Sequence, residues 1–120
     1  MFDHVGLKVQ HLESSVSFYR RSLKPLGYEL VDQGDGYAGF GPAGQAQLWL
    51  YQQEGAARTG AHVALQAPNR QAVAEFQREA LSSGGRDNGK PGLRSDYGPD
   101  YYAAFALDPD GNNIEAVFNR

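Results

Sequence analysis

The chain repeats itself. Residues 4–27 align without a gap on residues 62–85, and seven of the 24 paired positions are identical: His4 with His62, Val5 with Val63, Leu7 with Leu65, Phe18 with Phe76, Arg20 with Arg78, Leu23 with Leu81 and Gly27 with Gly85. A chain of 120 residues has the length of one ordinary domain. Two similar small modules must therefore share one core.

Each module opens on an alternating segment, His4-Val-Gly-Leu-Lys-Val9 and His62-Val-Ala-Leu-Gln-Ala67, whose period of two predicts a strand with one aliphatic face. A helix follows in each. Ser14 or Ser15 is the expected cap of the first, with Val16, Tyr19 and Leu23 on its apolar side and Pro25 and Gly27 closing it. Asn69 is the expected cap of the second, with Val73, Phe76, Ala80 and Leu81 as its stripe and Gly84-Gly85 as its stop. Three extended segments come next in each half: about 28–33, 37–41 and 45–52, then about 86–93, 101–107 and 112–118. The fold class expected is α+β, a βαβββ unit twice over, as one domain of two modules (1–53 and 60–120) joined by a linker at 54–59. Asp108-Pro-Asp-Gly111 is a hairpin turn, with Pro where φ is near −65° and Gly where φ is positive. Residues 86–100 hold three glycines, two prolines and six charged residues, and read as loop as much as strand.

Composition removes several functional classes. The chain has no cysteine, so disulfides, thiolate metal sites and cysteine nucleophiles are absent, and any metal must be held by His, Asp or Glu. A formal charge of −3 gives no global attraction for nucleic acid or anionic lipid. The longest apolar run, Tyr101 to Leu107, is far short of the roughly 20 residues of a membrane helix. The opening Met-Phe-Asp-His lacks the basic and apolar regions of a signal peptide, and the expected location is cytoplasmic.

The three histidines carry more. His4 and His62 take the same place in the two repeats, while His11 falls in a polar connection before the first helix. In the last strand Ile114, Ala116 and Phe118 alternate with Asn113, Glu115 and Val117. If the aliphatic faces pack on the helices, His4, His62 and Glu115 project from the opposite surface, where they can meet. Two imidazoles and a carboxylate hold a first-row metal on one side and leave positions open for substrate. Aligning Leu48-Trp49 on Ile114-Glu115 puts Trp49 where the first module would carry its own carboxylate. Trp49 cannot ligate, so it and Tyr51, on the same face, become candidate pocket walls, with Gln47 a lesser candidate. Tyr101 or Tyr102 is a further candidate contact for a flat substrate. Arg94 is a candidate partner for an anionic group, and Gly6 and Ala64 leave room above the metal.

With these residues the chain resembles the vicinal oxygen chelate superfamily, which includes glyoxalase I, extradiol dioxygenases, fosfomycin-resistance transferases and bleomycin-binding proteins. The resemblance runs end to end, through Asp3-His-Val-Gly-Leu-Lys-Val9 with Ser17-Phe-Tyr19, Ala61-His-Val-Ala-Leu65 and Asp108-Pro-Asp-Gly-Asn-Asn-Ile-Glu115. It implies cupped half-barrel sheets with helices outside, a homodimer, and a divalent metal (Fe, Mn, Ni or Zn) on His4, His62 and Glu115. The fourth ligand position of glyoxalase I matches Trp49, which departs from that enzyme's pattern. The reading that follows is a small metal-dependent enzyme of lyase, isomerase or transferase type. Its substrate would chelate through vicinal oxygens, and Glu115 would move the proton. A non-catalytic small-molecule binding protein and an Fe(II) ring-cleaving dioxygenase are the alternatives.

Overall fold

A computed structural model describes residues 1–56 and 60–119. The first module runs β1 (Val5–Val9), α1 (Leu12–Ser22), a 3-10 turn (Lys24–Leu26), β2 (Glu29–Gly34), β3 (Tyr37–Gly41) and β4 (Leu48–Gln52). The second runs β5 (His62–Gln66), α2 (Arg70–Ser82), β6 (Arg86–Leu93), β7 (Tyr101–Leu107) and β8 (Asn113–Asn119). The sheets have orders β1-β4-β3-β2 and β5-β8-β7-β6. In each, the opening strand pairs parallel with the last strand and the other pairings are antiparallel. Two copies of one βαβββ topology are present, as the repeat predicts. Of the expected linker, residues 57–59 lie outside the described residues.

The odd-numbered aliphatics of β1 and the even-numbered residues of β4 and β8 turn toward the helices. They join Phe18, Tyr19, Phe40 and Phe76, all fully buried, in one core that draws on both modules. Each such aromatic contributes on the order of 2–3 kcal/mol of burial free energy. The opposite face of each sheet is left for chemistry.

Three local expectations are corrected. Helix α1 starts earlier than a Ser14 or Ser15 cap allows: His11 is the N-cap, and its side chain accepts no capping hydrogen bond. The freed Leu12 amide is accepted by Gln52 Oε1 at 3.0 Å, and buried Leu12 draws the first turn into the core. Leu81 is 43% exposed, because the inward stripe of α2 runs through Ala72, Val73, Phe76, Gln77 and Ala80. Strand β4 begins at Leu48, and residues 45–47 link it to the turn before, where Gln45 N donates to Pro42 O. The Asn69 cap forms as expected, its Oδ1 accepting from Ala72 N at 2.8 Å.

Residues 86–93 form a strand despite their glycines and Pro91. Strand β6 is the sheet edge, where proline is tolerated, and its register slips twice, between Asp87 and Gly89 and between Gly89 and Gly92. Buried Gln77 of α2 closes the break, its Nε2 donating to Asp87 Oδ1, Gly89 O and Phe105 O at 2.9, 2.8 and 3.1 Å.

The Asp108–Gly111 turn ties the modules together. Gly111 has φ +86°, as the turn requires, and Asp108 is 2% exposed. Its carboxylate accepts from the Asp110 and Asn112 amides, from Asn112 Nδ2 and, at 2.5 Å, from the hydroxyl of Tyr19 on α1. Asp110 Oδ1 accepts from Gln10 N at 3.1 Å.

Candidate active site

The register of the second sheet decides which side chains meet. Glu115 lies opposite Ala64 of β5 and Phe105 of β7, in the middle of the face turned away from the helices. Small Ala64 leaves space, and His62, two residues back on the same face, leans across it. Its Nε2 stands 2.8 Å from Glu115 Oε1. The other oxygen, Oε2, accepts a very short hydrogen bond from the Tyr101 hydroxyl. Glu115 is 2% exposed, and a buried carboxylate of this kind is tolerable because both oxygens are matched. His62 is half-exposed, so the pair opens to solvent on the imidazole side.

The Tyr101 hydroxyl is pushed up to about 12, first by burial and then by the hydrogen bond and negative charge of Glu115. It stays protonated and donates. Phe105 completes the surround, its ring 6.3 Å from that of His62.

The first sheet presents an aromatic shelf on its corresponding face. Trp49 lies opposite Gly6 and Gly39, the register position that Glu115 holds in the second sheet, so the sequence alignment of these two residues matches the ladder. A Cβ on Gly39 would stand 2.6 Å from the indole of Trp49, one on Gly6 would stand 2.9 Å from the ring of Tyr51, and one on Gly34 would overlap the ring of Tyr37. Three glycines thus let three aromatics lie against the sheet. Tyr37 and Trp49 also meet, with centroids 6.2 Å apart.

Not every expected site residue converges. Tyr102 turns to the helix side, where it packs on the core under the guanidinium of Arg70, 4.9 Å away; Tyr101 takes the place beside Glu115. The turn at 108–111 fixes Leu107 opposite Asn113, and counting back by pairs puts Phe105 and Tyr101 on the Glu115 face. That signal was available in the sequence and excludes Tyr102. Arg94 does reach this face, its guanidinium 5.4 Å from the centroid of Phe105.

His4 stands apart from His62 and Glu115. Its Nδ1 is 2.8 Å from Asp3 Oδ1 in an exposed pair, a contact that does not use Nε2. It lines a cleft of about 120 Å³ with Gln47, Val63 and Ala64. Among the described residues no three His, Asp or Glu side chains converge on one point.

Within this chain the candidate ligands fit a divalent metal in part. Two ligands at right angles on bonds of about 2.1 Å stand roughly 3 Å apart, close to the 2.8 Å between His62 Nε2 and Glu115 Oε1.

The family model for the Glyoxalase/Bleomycin resistance protein/Dioxygenase superfamily matches residues 1–116. The chain belongs to this superfamily. A glyoxalase/bleomycin resistance protein from Albidiferax ferrireducens superposes with a TM-score of 0.83 at 26% identity, over 98% of this chain and 97% of that one. A mutant of glyoxalase I from Zea mays gives 0.70 at 27% identity, over 97% of this chain but 45% of that one. A glyoxalase-related enzyme from Fulvimarina pelagi, at 21% identity and a TM-score of 0.73 over 96% of this chain and 85% of that one, shares the fold. No curated protein matches the sequence. Within the superfamily's cupped architecture, the His62–Glu115 pair and the aromatic shelf occupy equivalent faces of the two modules.

Proposed function

We propose that this superfamily member is a small metal-dependent enzyme acting on a molecule that chelates through two adjacent oxygens. The reading is carried by the His62–Glu115 pair: two donors at ligand spacing on the sheet face away from the helices, with a buried carboxylate and an accessible imidazole. His62, Glu115 and the His4 of a second copy would hold the metal. His4 is half-exposed and meets Asp3 through Nδ1, not Nε2, and superfamily members often pair.

A bound divalent metal polarises the chelated oxygens and stabilises negative charge developing on them. The chain's own residues supply the rest. Glu115 would accept the substrate proton at Oε1, the oxygen on the open side beside His62, while Tyr101, protonated and donating to Oε2, holds the carboxylate in place. Trp49 and Tyr51 wall the pocket against the flat part of the substrate.

The shelf of Tyr37, Trp49 and Tyr51 favours a second reading, a protein that binds an aromatic small molecule without turning it over. The two part on one experiment. Elemental analysis of tag-free protein should find near-stoichiometric Fe, Mn, Ni or Zn, lost in His62→Ala and Glu115→Ala. Wild-type protein that takes up no metal after reconstitution with each ion, yet binds an aromatic ligand that quenches Trp49, would favour the binding protein.

A further inference from the structure

Arg94 is held as a receptor is held. Its backbone N–H donates to Tyr101 O at 2.7 Å and its carbonyl accepts from Tyr97 N at 2.9 Å, so the residue is fixed where β6 meets β7. The side chain folds back along β6 rather than out into water. One guanidinium nitrogen, Nη2, donates to Lys90 O at 2.6 Å, and the plane rests on Phe105. A Cβ on Gly89 would come within 3.3 Å of Nη2, and one on Gly92 within 3.2 Å of Nη1. Two glycines thus form the trough in which the guanidinium lies.

What this cation lacks is an anion. The ion pairs among the described residues are His4 with Asp3 and His62 with Glu115, and neither involves Arg94. Among the described residues, the one acceptor that its guanidinium meets is Lys90 O. A partly buried guanidinium has shed part of its hydration, and a protein normally repays that with a carboxylate. Here the position is left open, one ring away from His62, because Phe105 touches both.

We propose that Arg94 binds the carboxylate of the substrate, which makes the substrate class a small organic acid. The planar fork of donors matches the two oxygens of a carboxylate edge-on. The carboxylate would lie about one aromatic ring from the oxygens that reach His62 and Glu115. That second half rests on the metal-site reading; the Arg94 half does not.

The test uses benzoate, which carries the anion and no vicinal oxygens, with benzyl alcohol as its neutral counterpart and inorganic phosphate as the competing anion. Titrations are followed by NMR on the whole chain, both chelator-treated and Zn-loaded. Benzoate should bind saturably and shift the Arg94 side-chain N–H signal. Its dissociation constant should rise at least about tenfold in Arg94→Met, which keeps the apolar stem, and by less in Arg94→Lys, which keeps the charge without the fork. Benzyl alcohol should bind weakly and equally to wild type and Arg94→Met, a contrast that a merely structural role for Arg94 does not produce.

Unchanged benzoate affinity in a folded Arg94→Met protein, absence of saturable benzoate binding, or tighter binding of phosphate than of benzoate each overturns the proposal. Arg94-dependent benzoate binding in a protein that takes up no metal sinks the metal-enzyme reading alone. Stoichiometric metal with benzoate binding independent of Arg94 sinks this inference alone.

Discussion

Glu115 is the residue on which the site depends, and its burial makes it demanding. A carboxylate 2% exposed survives because His62 and Tyr101 each satisfy one oxygen. Tyr101→Phe removes one of those donors and leaves Oε2 facing a ring edge. An unmatched buried acceptor of this kind costs about 1–3 kcal/mol, so the variant's urea midpoint should fall accordingly at unchanged m-value; an unchanged midpoint would mean that water replaces the hydroxyl at no cost. The sequence makes His62 and Glu115 legible because strand alternation sorts faces. Alternation alone leaves Tyr101 and Tyr102 both open, and the hairpin register is what puts Tyr101 on the Glu115 face and Tyr102 on the other. His4 shows the other limit. Alternation gives it a face, but which histidines meet depends on how the modules sit together, and that is a property of packing.

At the scale of elements, the edge strand β6 and the helix behind it depend on one another. Glycines and a proline make residues 86–93 a poor strand by propensity, and the segment pairs because Gln77 reaches from α2 into the break and donates to Gly89 O and Phe105 O. In sequence Gln77 is one polar residue beside an apolar stripe, with nothing to mark it as buried. Gln77→Met keeps the volume and removes the donors. It should destabilise the protein by about 2–4 kcal/mol and raise hydrogen exchange in β6 above that in β8. A loss under about 0.5 kcal/mol would show that β6 stands without the clamp. The repeat hides a related difference. Gly27 and Gly85 align, yet Gly27 is needed for its φ of +89°, whereas a Cβ on Gly85 would strike Phe18 at 2.5 Å and Ala80 O at 2.8 Å. Duplicated residues can thus be kept for unlike reasons, and sequence identity does not tell them apart.

For the whole molecule, the bond from Tyr19 to Asp108 fastens the first module to the second. Burial raises the Tyr19 hydroxyl well above its ordinary value, with the charge of Asp108 and its hydrogen bond adding. The folded state therefore holds a proton that the unfolded chain gives up near pH 10. The stability this contributes is complete below about pH 10 and is lost as pH rises toward the folded value, at up to about 1.4 kcal/mol per pH unit. The stability advantage of wild type over Tyr19→Phe, measured by urea unfolding, should be constant from pH 7 to 9 and shrink above pH 10. A constant difference up to pH 11 would contradict it. The duplication and the βαβββ order of elements are legible at this scale from two aligned strand–helix segments and one turn, because period and turn chemistry are local, whereas the order of strands in each sheet is not. The tie between α1 and the Asp108 turn was not, since its partners are 89 residues apart.

The proposed metal site would be completed between two copies of the chain, with His4 from one and His62 and Glu115 from the other. Mixing separates this from every one-chain site. His4→Ala and Glu115→Ala, each purified alone, should carry no metal. Unfolded together in equal amounts and refolded, they should form mixed dimers with one intact site and one doubly broken site, recovering about a quarter of the wild-type metal content for random pairing through a two-fold interface. Elemental analysis reads that fraction directly. Metal present in wild type but absent from the refolded mixture would place all three ligands on a single chain and rule out a shared site.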